Sequence, residues 1–199
     1  MPRILDLILL TVLLPVIFLL VTMLAIVVRY DVGSPIFFTQ MRGGYKGKLF
    51  AIRKFRTMTN ALSEDGNLLS DENRLTKIGK FLRATSLDEI PSLWNLAKGD
   101  LRLVGPRPLL PEYLELYTPE QMRRHNAVPG ITGWAQIMGR NNISWEQKFA
   151  HDLWYIDHRS FWLDLRILVV TAWRVITRRD INAQGDATMP RFTGSREKI

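Results

Sequence analysis

The sequence predicts a mainly α-helical chain with one small β-hairpin. We expect an N-terminal membrane-embedded, Pro-kinked helix and a compact cytosolic domain carrying interfacial amphipathic helices. Three observations lead there. The stretch Ile4–Val28 is apolar apart from Asp6, helix-like segments recur from residue 76 onward, and two strand-like pieces flank a glycine-rich break near residue 45. A chain of 199 residues suits one principal domain rather than two independent cores. We divide it into an anchor at 1–30, a main domain at 31–182 and a tail at 183–199.

The anchor explains an otherwise odd composition. Mean hydropathy is near zero although 23% of residues are charged, so the apolar residues must be concentrated in one place. As a helix, Ile4–Val28 would be roughly 37 Å long at 1.5 Å per residue, enough for a ~30 Å hydrocarbon core. A cleaved signal peptide fits poorly, because the apolar run is too long and Met23–Arg29 offers no small-residue cleavage site. Pro15 deletes a backbone hydrogen bond in mid-helix and predicts a kink. A kinked segment can span the bilayer, or it can enter one leaflet and leave by the same face with Arg3 and Arg29 both at the headgroups. Between Val32 and Ser63 stand Arg42, Lys46, Lys48, Arg53, Lys54 and Arg56 with no acid. By the positive-inside bias that side is cytoplasmic, and such a run also favours anionic phospholipid.

The remaining elements follow in order. Pro35–Thr39 and Lys48–Ile52 read as strands of a hairpin broken at Gly43-Gly44 and Gly47. Gly43–Lys48 only superficially resembles a phosphate loop, since Leu49 stands where a magnesium-binding hydroxyl belongs. Residues 60–74 are polar and read as a surface loop. Helices are expected at 76–84, 87–98 and 119–126, and again from about 144 to 178, with a Gly- and Pro-rich region at 102–142 between them. The last twenty residues read as a loosely held tail. Phe161–Arg178 is apolar over most of its circumference, with Asp164, Thr171, Arg174 and Arg178 close to one stripe. Such a helix is either core or lies in a bilayer interface, and the tryptophans of this third of the chain favour the interface.

Chemistry is constrained first by what is missing. Without cysteine there is no thiolate nucleophile, disulfide or thiolate metal site, and His125, His151 and His158 are too isolated for a three-histidine metal site. The suggestive stretch is Arg83–Pro91. Ser86 and Glu89 have the spacing of a capping box, which would place Asp88 and Glu89 in the first turn of a helix, at the positive end of its dipole. Neighbouring carboxylates on a helix point about 100° apart and can take different tasks. Leu103–Pro108 fixes Arg107 between two prolines, a way to present a guanidinium to an oxyanion. Pro129–Gln136 and Gly139-Arg140 form a second turn-rich segment ending in arginine. The net charge of +8, from 27 basic and 19 acidic residues, calls for an anionic partner.

These motifs together resemble the bacterial sugar transferases, the small monotopic, PglC-like phosphoglycosyl transferases. The resemblance rests on Lys54–Met58, Ser86–Glu89, Lys98–Asp100 with Val104–Leu109, Pro129–Gln136 and Gly139–Asn141, and covers nearly the whole chain. It implies transfer of a sugar 1-phosphate from a UDP-sugar to polyprenol (undecaprenyl) phosphate, with release of UMP. It further implies Mg²⁺ held at Asp88, a covalent phosphosugar on Asp88 beside Glu89, and substrate contacts from Arg83, Arg107 and Arg140. It places the protein in the inner membrane, with a re-entrant anchor and its catalytic domain in the cytoplasm. One departure stands out: the Ser-Pro pair of well-described small members is Leu14-Pro15 here. A basic scaffold on anionic lipid or a tethered nucleic-acid binder would use the same charge. Neither explains the carboxylate pair or the arginine loops, and no nucleic-acid-binding motif is present.

Overall fold

The structure, a computed structural model, describes residues 2–139, 143–177 and 191–194. The apolar stretch forms one long helix, α1 (Arg3–Asp31), with Pro15 inside it. Thr11 and Thr22 bond their hydroxyls back to the carbonyls of Leu7 and Phe18, as an apolar environment demands. Both ends of α1 rest on the folded domain. Leu24 and Val28 pack with Phe55 and Leu82, while Leu10 reaches a second cluster of Phe50, Ile52, Leu96 and Leu101. Residues 11–16, around Pro15, are exposed throughout.

The hairpin is present and longer than expected. Strand β1 (Phe37–Gly43) pairs antiparallel with β2 (Leu49–Phe55), Phe37 opposite Phe55 and Gly43 opposite Leu49. Lys46 and Gly47 turn the chain with consecutive positive φ angles of 52° and 73°. The polar region after it is mostly loop but contains the single turn α2 (Asp71–Arg74). Thr76 then caps α3 (Lys77–Thr85): its hydroxyl accepts from Gly79 N and donates to Asp31 Oδ2, joining the end of α1 to the start of α3.

The capping box expected at Ser86 and Glu89 does not form. Ser86 has φ 58°, closes α3 as a left-handed C-cap, and makes no side-chain cap bond. The single helix expected over 87–98 is instead a 3₁₀ turn at Leu87–Ser92 followed by α4 (Leu93–Lys98). Pro91 supplies the reason, because it has no N–H to donate to Leu87 O and the α-helical ladder cannot start there. The shorter i→i+3 pattern begins instead, with Glu89 N donating to Ser86 O.

The Gly- and Pro-rich region holds order that its composition conceals. Strands β3 (Arg102–Val104) and β4 (Gly130–Thr132) pair in parallel, with α5 (Pro119–Met122) between them and α6 (Trp134–Met138) after them. The segment expected as one helix at 119–126 is α5, capped by Thr118 and Gln121, followed by a 3₁₀ turn at Arg123–Asn126. Helices α7 (Trp145–His158) and α8 (Phe161–Thr177) cover the other side of this pair, where Val104, Ile137, Tyr155 and Ile167 are buried together.

Helix α8 is inverted relative to a helix on a water-exposed surface. Its polar stripe faces the protein, where Asp164 accepts from Tyr155 OH and Thr171 shares a hydrogen bond with Thr132. Trp162, Leu165, Val169 and Trp173 point outward, with Trp162 73% exposed. Of the expected tail at 183–199 only 191–194 are described, and there Phe192 is held: it is buried against Tyr113 and Phe149 and donates its N–H to Tyr113 OH, while the rest of the tail lies outside the described residues.

At the β3–β4 crossing the backbones touch. A Cβ on Gly130 would lie 2.1 Å from Gly105 N and 2.5 Å from Thr132 O, and rigid backbone cannot yield as a side chain would. We expect Gly130→Ala to destabilise the protein by about 1–3 kcal/mol or more. A thermal unfolding midpoint unchanged in detergent would contradict this packing.

Candidate active site

The 3₁₀ turn at Leu87–Ser92 sorts its residues onto three faces about 120° apart, since i and i+3 eclipse. Leu87 and Ile90 form the apolar face and pack against the cluster of Leu24, Val28, Phe55 and Leu82. Glu89 and Ser92 form another, with Ser92 Oγ donating to Glu89 O at 2.6 Å. Asp88 starts the third and is 9% exposed. Helix α1 therefore helps to seat the turn that carries both carboxylates.

Strand alternation delivers the first cation. Phe50, Ile52 and Lys54 share one face of β2, and the two apolar side chains are buried. Lys54 Nζ meets Glu89 Oε1 at 2.5 Å. Arg107 Nη2 reaches the same oxygen at 2.9 Å. The loop bearing Arg107 is held through its carbonyls: Pro106 O accepts from Gly130 N, Arg107 O from Arg124 Nη2 and Leu109 O from Gly43 N. Arg124 is itself buried and ion-paired to Asp152 at 2.7 Å.

Around these groups lies a small cleft lined among others by Arg42, Lys54, Glu89, Ser92 and Arg107. Burial and repulsion from Arg107 lower the pKa of Arg42. Lys148, stacked over Trp145 at 4.9 Å, is lowered to about 8 by burial and by Arg107. Crowded cations of this kind form a receptor for an anion richer in charge than one carboxylate.

The two carboxylates titrate far apart. Burial would raise Glu89, but attraction to Arg107 and Lys54 and their hydrogen bonds bring it down to about 2. Asp88 is raised to about 6 by burial and by the charge of Glu89, against the pull of Lys54, Arg83 and Arg107. Glu89 is thus a fixed anion and a poor proton acceptor. Asp88 is about nine-tenths ionised at pH 7 and forms no hydrogen bond or ion pair among the described residues.

Of the residues expected from the sequence, the structure brings together Asp88, Glu89 and Arg107. Arg83 stands behind Asp88, contributing charge while its Nε donates to Thr57 Oγ1. Arg140 lies outside the described residues. Sequence reading passed over Lys54, Arg42 and Arg124 as site residues. A usable signal existed for Lys54: a lysine continuing the core-facing alternation of Phe50 and Ile52 needs a buried anion. Among the described residues no group of three or more His, Cys, Asp or Glu could hold a metal. Magnesium, however, commonly takes one or two carboxylates and completes its shell with substrate phosphates and water. Asp88, anionic and unpaired, fits that mode.

Comparison with known proteins identifies the family. A sequence profile of the bacterial sugar transferase family matches residues 1–178. The chain belongs to the bacterial sugar transferase family. An uncharacterized sugar transferase of Bacillus subtilis is 57% identical over 169 residues, covering 85% of this chain and 84% of that protein. The undecaprenyl-phosphate galactose phosphotransferase of Salmonella typhimurium is 38% identical over 74% of this chain. The UDP-glucose:undecaprenyl-phosphate glucose-1-phosphate transferase of Xanthomonas campestris is 39% identical over 79% of it. The aligned parts are 34% and 35% of those two longer sugar transferases.

Replacing Glu89 by Gln removes the neighbouring negative charge and releases two cations toward Asp88. Both changes favour ionised Asp88, so its titration should move below about 6. Infrared titration of the carboxylates checks this, and an unchanged or higher midpoint would contradict the coupling.

Proposed function

We propose that this sugar transferase moves a sugar 1-phosphate from a UDP-sugar to polyprenol (undecaprenyl) phosphate through a covalent acyl phosphate, an aspartyl-phosphosugar, on Asp88, releasing UMP. This would be the first membrane step of glycoconjugate or polysaccharide assembly. The observation that carries the reading is the division of labour in the carboxylate pair: Glu89 is bound by Lys54 and Arg107, while Asp88 is anionic, buried and unpaired. The names of the Salmonella and Xanthomonas relatives supply the carrier lipid and, for the latter, the nucleotide sugar.

In the first half-reaction an Asp88 carboxylate oxygen attacks the phosphorus that bears the sugar. The bond between that phosphorus and the bridging diphosphate oxygen breaks, and UMP leaves with the electron pair. In the second, a phosphate oxygen of the polyprenol carrier attacks the same phosphorus and returns Asp88 as a carboxylate. Splitting the transfer in two is nucleophilic catalysis. Both leaving groups depart as anions, so the site needs cations rather than a matched acid. Arg107, Lys54 and Arg42 line the cleft for the diphosphate, and Arg83 supports the field at Asp88. Arg140 is assigned to donor binding by its motif. Magnesium bound at Asp88 and the diphosphate would neutralise charge developing on the phosphate oxygens.

The membrane arrangement belongs to the same reading. Arg3 and Asp6 at one end of α1, and Asp31 at the other, contact a single domain, whereas residues 11–16 are exposed. This supports a re-entrant helix that enters and leaves by the cytoplasmic face of the inner membrane. The outward apolar stripe of α8 suits contact with phospholipid in the same plane. A basic scaffold or nucleic-acid binder gives no reason for an unpaired buried aspartate inside a cluster of cations.

Purified protein supplied with UDP-sugars, polyprenol phosphate and Mg²⁺ should release UMP. Asp88→Asn should lower that release at least ~10³-fold while the protein stays folded, and an active Asp88→Asn variant would sink the nucleophile assignment. For Arg107→Ala the expected outcome is a KM for UDP-sugar raised roughly 10- to 100-fold, or ~1.4–2.7 kcal/mol, with membrane association unchanged. A KM equal to that of the parent would reduce Arg107 to a structural role.

A further inference from the structure

Asp6 is the one charged side chain within the apolar run of α1, and it is 1% exposed. Its Oδ2 is ion-paired to Nε of Arg102 in β3, whereas its Oδ1 is buried without a hydrogen-bond partner. We propose that the Asp6–Arg102 pair is a latch that seats the N-terminal half of α1 on the catalytic domain. This rests on the re-entrant reading and deepens it by naming what holds the returning half.

The two halves of α1 are held by different forces. After Pro15, Val21, Leu24, Ala25 and Val28 give a continuous apolar seam against Phe55 and Leu82. Before Pro15 the only buried residue is Asp6, and Leu10 is the apolar residue packed against a core cluster. Ile4, Ile8, Leu9, Val12 and Leu13 are exposed. Those side chains meet hydrocarbon whether the half-helix returns or crosses, so they cannot choose between the two. Charge can. Arg3, Asp6 and Leu10 lie on one face at i, i+3 and i+7, and Arg3 Nη2 adds a 3.4 Å contact to Lys98 O. Moving Asp6 away from Arg102 would leave a carboxylate in lipid and break the ion pair that ties α1 to β3.

The latch has a second consequence. Arg102 begins β3, and the chain runs from that strand through Gly105 and Pro106 to Arg107. A helix that lies in the membrane is thereby joined to the strand that presents the donor-binding arginine. The pair sets the height of that strand over the bilayer, which makes Asp6 and Arg102 positioning residues.

The chain has no cysteine, so Pro2→Cys introduces a single thiol at an exposed position. An impermeant maleimide applied to sealed vesicles of each orientation then reads which face the N-terminus occupies. In the Pro2→Cys parent we expect labelling only from the face that bears the catalytic domain. Adding Asp6→Leu or Arg102→Leu should raise labelling from the opposite face at least tenfold. The charge swap Asp6→Arg with Arg102→Asp should restore the parent pattern. Purified Arg102→Leu should also show a KM for UDP-sugar raised several-fold at unchanged kcat. Parent-like labelling and KM in both single variants would overturn the latch. Labelling of the parent itself from the opposite face would overturn the re-entrant reading, a result distinguishable from failure of the latch alone.

Discussion

One oxygen atom organises the candidate active site of this protein. Glu89 Oε1 accepts from Lys54 on β2 and from Arg107 on the loop after β3, so a single carboxylate ties together three segments distant in the chain. The consequence is electrostatic as much as geometric. With Glu89 satisfied, neither cation is taken up by Asp88, which keeps a free carboxylate in a positive field. Its pKa stays close enough to neutrality for the group to be ionised yet weakly held. An aspartate locked in a tight salt bridge would be a poorer nucleophile, and one buried without cations would be protonated.

The membrane helix enters this arrangement directly. Leu24 and Val28 pack against the same cluster as Leu87 and Ile90, so the turn carrying the dyad is built on α1 itself. At the other end Asp6 holds β3, the strand that leads to Arg107. A substrate whose phosphate sits at the headgroup plane needs a nucleophile fixed at that depth. In the proposed function α1, which is part of the core, would provide that depth, and α8 turns its polar stripe inward and its tryptophans outward.

Much of this was legible in the sequence. Ile4–Val28 announced the anchor by length and apolarity, the hairpin by its glycines, and α7 and α8 by their extent. Asp88, Glu89 and Arg107 were legible because each stands in an unusual local pattern. What escaped depends on distance or brevity. Lys54 acquires its role from a carboxylate 35 positions away, and Arg124 from Asp152, 28 positions away. Strands β3 and β4 are three residues each, too short for any periodicity to show. The spacing of Ser86 and Glu89 suggests a capping box that does not form, because Pro91 forces a 3₁₀ start.

The most direct test of the division between the two carboxylates is a half-reaction. Protein mixed with Mg²⁺ and a UDP-sugar that it uses, without polyprenol phosphate, should release about one equivalent of UMP. It should also gain the mass of one sugar phosphate, and fragmentation of the labelled peptide should place that mass on Asp88. An adduct on Glu89, or turnover with no adduct on any carboxylate, would contradict the account.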